Sequence, residues 1–239
     1  VSLSGPTIAA NDLNNLDSES SETVNAGGVT TITGSAADVK KAYEASGITG
    51  LGDEAVTLSD TSITATTLNA LDGKTSGTIT ASNVTTVTGD AASVTSAYTS
   101  GGITGLGDEA VTLSDTEISA TVLNTLDGKT TGKIDASKLT KITGTGTDAK
   151  TAFESAGISG LTFDASNYLA SYADLLTAFG NDTVTAKAHY FANGVSEGRS
   201  FDAFDETSYL ASYSDLLGAF GTNVDKALIH YINNGYSEG

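Results

Sequence analysis

The chain has 239 residues and a formal charge of −18, and it contains no Cys, Met or Trp. That length allows one or two domains with a sizeable apolar core. The charge argues against nucleic acid and anionic membrane surfaces as partners, since both would repel it.

Without cysteine there is no disulfide framework, thiolate chemistry or zinc–sulfur site. Absence of methionine as well leaves no sulfur to oxidise, which suits a secreted, extracellular protein. No apolar run approaches the roughly 20 residues that span a bilayer, so membrane insertion is not expected. No signal peptide is visible. Val1 and Gly239 both fall inside repeats, as in a processed product or a fragment of something longer.

Internal repetition organises the chain. LGDEAVTLSDT at 51–61 returns unchanged at 106–116, an offset of 55 (106 − 51). With that offset Ile8, Leu13 and Leu16-Asp17 match Ile63, Leu68 and Leu71-Asp72, and then Ile118, Leu123 and Leu126-Asp127. The expected organisation is three tandem repeats over 1–162 (1–52, 53–107 and 108–162).

Each repeat carries helix punctuation. Ser35, Asp90 and Thr145 align as N-caps, residues whose side-chain oxygens take a free backbone N–H, and Asp38 and Asp148 follow two of them at capping-box spacing. Val39, Ala42 and Tyr43, with counterparts Val94, Ala97, Tyr98 and Ala149, Ala152, Phe153, continue at helical spacing. Gly47, Gly102 and Gly157 stand where a left-handed C′ residue would end the helix. A second, shorter helical turn is expected after Ile63 and Ile118, with Thr64 or Ser119 as N-cap and Ile63 and Leu68 as a hydrophobic staple. Gly73 and Gly128 would end it.

Strand candidates are brief and β-branched: AVTL at 55–58 and 110–113, GTIT at 77–80, GITG at 102–105. Short strands alternating with short helices imply parallel pairing through crossovers. No single unit can bury an apolar face alone, so stacking must supply the core. The expected fold is an α/β solenoid-like repeat array followed by a small all-α repeat domain. The alternative is a β-solenoid plus helices.

From Phe163 a different repeat takes over. FDASNYLASYADLLTAFG (163–180) returns as FDETSYLASYSDLLGAFG (204–221), and AHYFANGVSEG (188–198) as IHYINNGYSEG (229–239). The offset is 41 (209 − 168), giving helical units at 163–203 and 204–239. Tyr168, Leu169, Tyr172, Leu175, Leu176 and Phe179 share one helical spacing, and each unit reads as a cluster of two or three helices. The pattern YLASYxDLLxAFG…HYxxxGxSEGR resembles a tandem helical repeat of large secreted bacterial proteins, among them RTX-associated and S-layer-like surface proteins. The resemblance covers 163–239. The repeat before it is similar in composition to arrays in giant bacterial cell-surface proteins. A surface or secreted structural role is what the resemblance implies. The GGxGxD nonapeptide of RTX calcium rolls is absent, so calcium chemistry does not carry over with it.

Six acids of the duplicated phrase are candidates for calcium: Asp53, Glu54 and Asp60, and their copies Asp108, Glu109 and Asp115. Calcium gathers six to eight hard oxygens, often from Gly- and Asp-rich turns. The competing expectation is that these acids accept backbone N–H groups in turns and at helix starts. His189 and His230 sit at equivalent places in their units, as packing residues with a local partner would. Glu197 and Arg199 read as a local ion pair. Paired carboxylates could suggest a glycosidase, but a duplicated array has no single asymmetric cleft. No GxSxG motif occurs either, so no enzyme is expected. The expected function is a structural protein of the bacterial cell exterior that assembles with copies of itself into an S-layer, sheath or filament. An adhesin or glycan-binding surface module, dependent on calcium in one form, is the alternative.

Overall fold

A computed structural model describes residues 1–238. The first repeat runs β1 (Thr7–Ala9), α1 (Ala10–Glu19), β2 (Val24–Asn25), β3 (Thr31–Gly34), α2 (Ala36–Glu44) and β4 (Ile48–Thr49). The second runs β5 (Ala55–Leu58), β6 (Ser62–Thr64), α3 (Ala65–Asp72), β7 (Ile79–Thr80), β8 (Thr86–Gly89), α4 (Ala91–Thr99) and β9 (Ile103–Thr104). The third contributes β10 (Ala110–Leu113), β11 (Glu117–Ser119), α5 (Ala120–Asp127), β12 (Ile134–Asp135), β13 (Lys141–Thr143), α6 (Gly146–Glu154) and β14 (Ile158–Ser159). Seven helices follow: α7 (Ala165–Ala170), α8 (Ala173–Phe179), α9 (Thr183–His189), α10 (Glu206–Ser212), α11 (Ser214–Phe220), α12 (Val224–His230) and α13 (Tyr236–Glu238). The chain thus alternates short strands and helices and then becomes wholly helical. It forms two compact units, Val1–Asp115 with Thr125–Ala136, and Thr116–Asn124 with Ser137–Gly239.

In the first unit, strands pair in the order β1-β3-β5-β7-β9, all parallel. The register stacks Ile8, Ile32, Val56, Ile79 and Ile103 in one column. Except for Ile8, which is half-buried, these side chains are buried, each contributing about 1.5–3 kcal/mol by leaving water. A second ladder, β6-β8-β10-β12, stacks Ile63, Val87, Val111 and Ile134 in the same way, and a third pairs β2 with β4. Strands of two to four residues cannot persist singly; here each is held by neighbours that arrive one turn of chain earlier and later.

That turn is 24 residues long, as in the bond from the Asn69 amide nitrogen to the Ser93 carbonyl oxygen. The sequence repeat of 55 exceeds two such turns by seven residues (55 − 24 − 24 = 7). Each sequence repeat therefore opens a new ladder, at β1 and again at β6. The helices lie beside one another, α1 on α2, α2 on α3 and α3 on α4. They face inward with Leu13, Val39, Leu68, Leu71 and Val94, none of which is exposed.

Caps fall where the sequence places them. Asp38 N–H donates to Ser35 Oγ at 3.2 Å, Ser93 N–H to Asp90 Oδ1 at 2.8 Å, and Thr67 N–H to Thr64 Oγ1 at 3.1 Å. The expected left-handed stop at Gly47 and Gly102 is not found. Helix α2 ends at Ala45 in extended backbone, and neither glycine has a positive φ in that region. A Cβ would lie 1.9 Å from Asp17 Oδ1 at Gly47 and 2.0 Å from Asp72 Oδ1 at Gly102, so the aspartate side chain would have to move to admit one.

In the second unit β11 pairs with β13, aligning Ile118 with Ile142. Phe153 of α6 packs edge-on against Phe163, Tyr190, Phe191 and Phe201, with centroids 5.2–6.2 Å apart. The single helical spacing expected from Tyr168 to Phe179 divides into α7 and α8, because Tyr172 between them is extended (φ −139°, ψ 112°). Its hydroxyl accepts the Ser200 N–H at 2.7 Å. Gly180, with φ +59°, closes α8. A wide π-helical turn, Tyr190–Gly194, follows α9, and Tyr231–Gly235 repeats it after α12.

Candidate functional site: the repeated acidic seam

The six acids of LGDEAVTLSDT take three different positions. Glu54 precedes β5 and is fully buried. Its Oε2 accepts the Gly52 N–H at 2.8 Å and the Tyr43 hydroxyl at 3.0 Å, drawing the end of α2 onto the seam. Its backbone carbonyl accepts the Thr75 hydroxyl at 2.7 Å, and Thr75 Oγ1 in turn accepts the Gly77 N–H at 2.9 Å. Gly77 must be glycine, because a Cβ there would lie 2.3 Å from the Glu54 carbonyl oxygen. Glu54 Oε1 is buried with no hydrogen-bond partner, so the tyrosine and one amide carry the satisfaction of this carboxylate.

The second copy reproduces the arrangement. Glu109 Oε2 accepts from Gly107 N–H at 2.7 Å and Tyr98 Oη at 2.8 Å, its carbonyl accepts from Thr130 Oγ1 at 2.7 Å, and its Oε1 is likewise buried alone. In the third repeat both members of the pair change together. Phe153 stands in the tyrosine's place and Asp164 in the glutamate's, where Asp164 Oδ1 accepts Ser166 and Asn167 N–H groups to cap α7. The hydroxyl is lost, and the carboxylate, on a shorter side chain, serves as a helix cap instead.

Asp60 does something else. Its Oδ2 accepts the Ala36 N–H at 2.8 Å, capping α2 one turn upstream rather than the turn that follows it in sequence. Asp115 caps α4 identically through Ala91 at 2.8 Å. Both helices thus receive two caps, one local and one from the next turn, which satisfies two of the four open N–H groups at each start. Asp53 and Asp108 are exposed. Glutamates face inward, Asp60 and Asp115 bind amides, and Asp53 and Asp108 meet solvent. Among the described residues no group of three or more His, Cys, Asp or Glu side chains is placed to hold a metal ion.

Sequence reading passed over two sets of partners. Tyr43 and Tyr98 were legible only as helix-core positions, and Thr75 and Thr130 not at all. Asn14, Asn69 and Asn124 were also missed. Each donates through Nδ2 to a carbonyl 24 residues on: Asp38 at 3.0 Å, Ser93 at 2.9 Å and Asp148 at 3.0 Å. Recurrence at the 55-residue offset, LNN, LNA and LNT, was the available signal. His189 finds its partner in the Tyr168 hydroxyl, 3.1 Å from Nδ1. Arg199 pairs with Glu197 at 2.6 Å. No helix is long and apolar enough to cross a membrane among the described residues.

No protein-family model, curated protein or solved structure matches the chain.

Two predictions follow from the seam. Tyr43→Phe leaves a buried carboxylate short of a donor and should cost about 1–3 kcal/mol in denaturant unfolding. Glu54→Leu should also destabilise, and the double variant should fall short of the sum by about 1 kcal/mol. Additive losses would show that the two groups do not act as a pair. The second prediction concerns pH. Burial raises the phenols of Tyr43, Tyr98, Tyr168 and Tyr190 well above their ordinary value. Their contribution is complete below about pH 10, where unfolded tyrosines begin to ionise, and is lost as pH rises beyond it. Melting temperature should therefore fall from about pH 10 upward, with phenolate absorbance appearing as the fold is lost. Ionisation of these four at the ordinary value in folded protein would contradict this.

Proposed function

We propose that the chain is a structural protein of the bacterial cell exterior that self-assembles into an S-layer, sheath or filament. Its strand–helix part would be a solenoid of 24-residue turns. The observation that carries this reading is the use of the seam's acids. Glu54, Asp60 and their copies serve as internal ties, repeated identically from one copy to the next. A catalytic site needs one asymmetric constellation; a repeated tie needs only to recur. The first ladder ends in β1 and β9, and an end strand offers N–H and C=O groups to another copy. The reading includes no catalytic role, no nucleic-acid partner and no resident cofactor.

A charge of −18 sets the condition for assembly. Copies repel one another until salt or a divalent cation screens them, and the exposed Asp53 and Asp108 are the seam groups on which calcium would act. The second reading, an adhesive module for cell-surface glycans, is favoured by one feature. An open groove of about 860 Å³ presents Phe153, Phe163 and Phe191 beside Lys150, Glu154 and Lys187.

Electron microscopy and sedimentation of the purified chain across ionic strength and calcium concentration test the first reading. Ordered polymers should form as screening increases. A monodisperse monomer under every condition would overturn it, and selective binding on a glycan array by that monomer would favour the second.

A further inference from the structure

Three phenylalanines from different segments meet in the second unit. Phe153 lies on α6, Phe163 just before α7, and Phe191 in the wide turn after α9. Their ring centroids are 5.6–6.0 Å apart, so each ring touches the other two. None of the three is fully buried. They floor an open groove of about 860 Å³ between α6 and α9, a volume in the range that takes small molecules. The frame is tight: a Cβ at Gly146 would collide with the Phe191 backbone, so the start of α6 lies directly on the wide turn.

The rim carries charge that the helical repeat does not require. Lys187, in the α9 wall, is exposed and forms no ion pair. Its counterpart 41 residues on is Leu228, which is buried (228 − 187). Val184, on the same wall, is 79% exposed, and its counterpart is Asp225 (225 − 184). The first helical copy thus presents a cation where the second has a core leucine, and an open valine where the second has an acid. Lys150 stands on the α6 wall, 3.8 Å from Glu154, both of them exposed. The neighbouring Asp164 and Asp182 turn their oxygens to N–H groups that start α7 and α9. In a chain with 11 bases against 29 acids, two lysines at one apolar groove fix the sign of what it would hold.

We propose that this groove binds a free medium-chain carboxylate, with its alkyl chain on the three phenyl rings and its carboxylate on Lys187. Methylene groups gain by leaving water against Phe153, Phe163 and Phe191. The rings meet at 46–89° rather than in one plane, which suits a flexible chain better than a flat aromatic body. An ammonium is a point charge on a flexible stem and can follow a carboxylate at the groove's mouth. Lys150 can leave Glu154 to join it, since exposed ion pairs hold weakly. The phenyl floor offers the hydroxyls of a sugar no donor or acceptor, and stripping them of water would cost affinity. The site therefore differs from a glycan site in its ligand, and it is independent of assembly.

The test is an NMR titration of the 239-residue chain with decanoate, hexanoate and decyltrimethylammonium, each below its micelle concentration. Decanoate should give saturable shifts at the Phe153, Phe163 and Phe191 rings, with hexanoate weaker by about tenfold or more. The cation, with the same chain and the opposite charge, should bind about tenfold more weakly. Two variants take the residues that the second copy already carries at these places. Lys187→Leu should abolish the preference for decanoate over the cation, and Val184→Asp should weaken decanoate about tenfold. Unchanged Tyr172 and Arg199 signals report an intact fold in both. The shifts are read whether or not copies assemble, so failure here and failure of the assembly reading are separate outcomes. No saturable shift at the three rings, equal binding of the cation, or decanoate binding unchanged in both variants would overturn the proposal. Saturable shifts with N-acetylglucosamine in place of decanoate would also overturn it and give the groove to glycans.

Discussion

A polar side chain that reaches across one 24-residue turn to a backbone group of the next is the contact on which the strand–helix part depends. Asn69 reaches the carbonyl of Ser93, and Asp60 reaches back to the amide of Ala36. Strands of two to four residues and helices of eight to ten cannot hold their conformation singly in water. The stacked columns of Ile and Val supply most of the free energy but are non-directional. Asparagine and aspartate ties supply direction: they fix which residue lies above which, and so keep each apolar side chain in its column.

The seam around Glu54 works within one turn. A buried carboxylate needs donors, and here they are the Tyr43 hydroxyl, eleven residues earlier at the end of α2, and the Gly52 amide, two residues earlier. The link to the following turn is the Glu54 backbone carbonyl, which accepts the Thr75 hydroxyl 21 residues on. In the third repeat, where an aromatic cluster follows, Phe and Asp stand in place of Tyr and Glu.

Much of the local structure was legible because it depends on neighbours in sequence. Ser35, Asp90 and Thr64 are caps whose acceptors and donors lie three residues apart, and AVTL at both positions is a strand. The 24-residue turn was not legible. Its equivalent residues, such as Ile32 and Val56, sit in unlike local sequences, TITG and AVTL. The conspicuous 55-residue repeat is not a multiple of it. For the same reason Gly47 read as a helix terminator when what it packs against is the side chain of Asp17, distant in sequence. Asp60 stood next to β6 in sequence, yet its role is set by a helix 24 residues earlier. Tyr172 fitted a helical spacing, yet its backbone is extended between α7 and α8, as that of Tyr213 is between α10 and α11.

Amide hydrogen exchange at Ala36 in Asp60→Ala tests most directly whether cross-turn ties hold the array. Ala36 N–H donates to Asp60 Oδ2, whereas the corresponding Ala91 N–H donates to Asp115. The substitution should accelerate exchange at Ala36 and through the first turn of α2, while Ala91 keeps its protection and serves as the internal control. Unchanged protection at Ala36 would contradict the account.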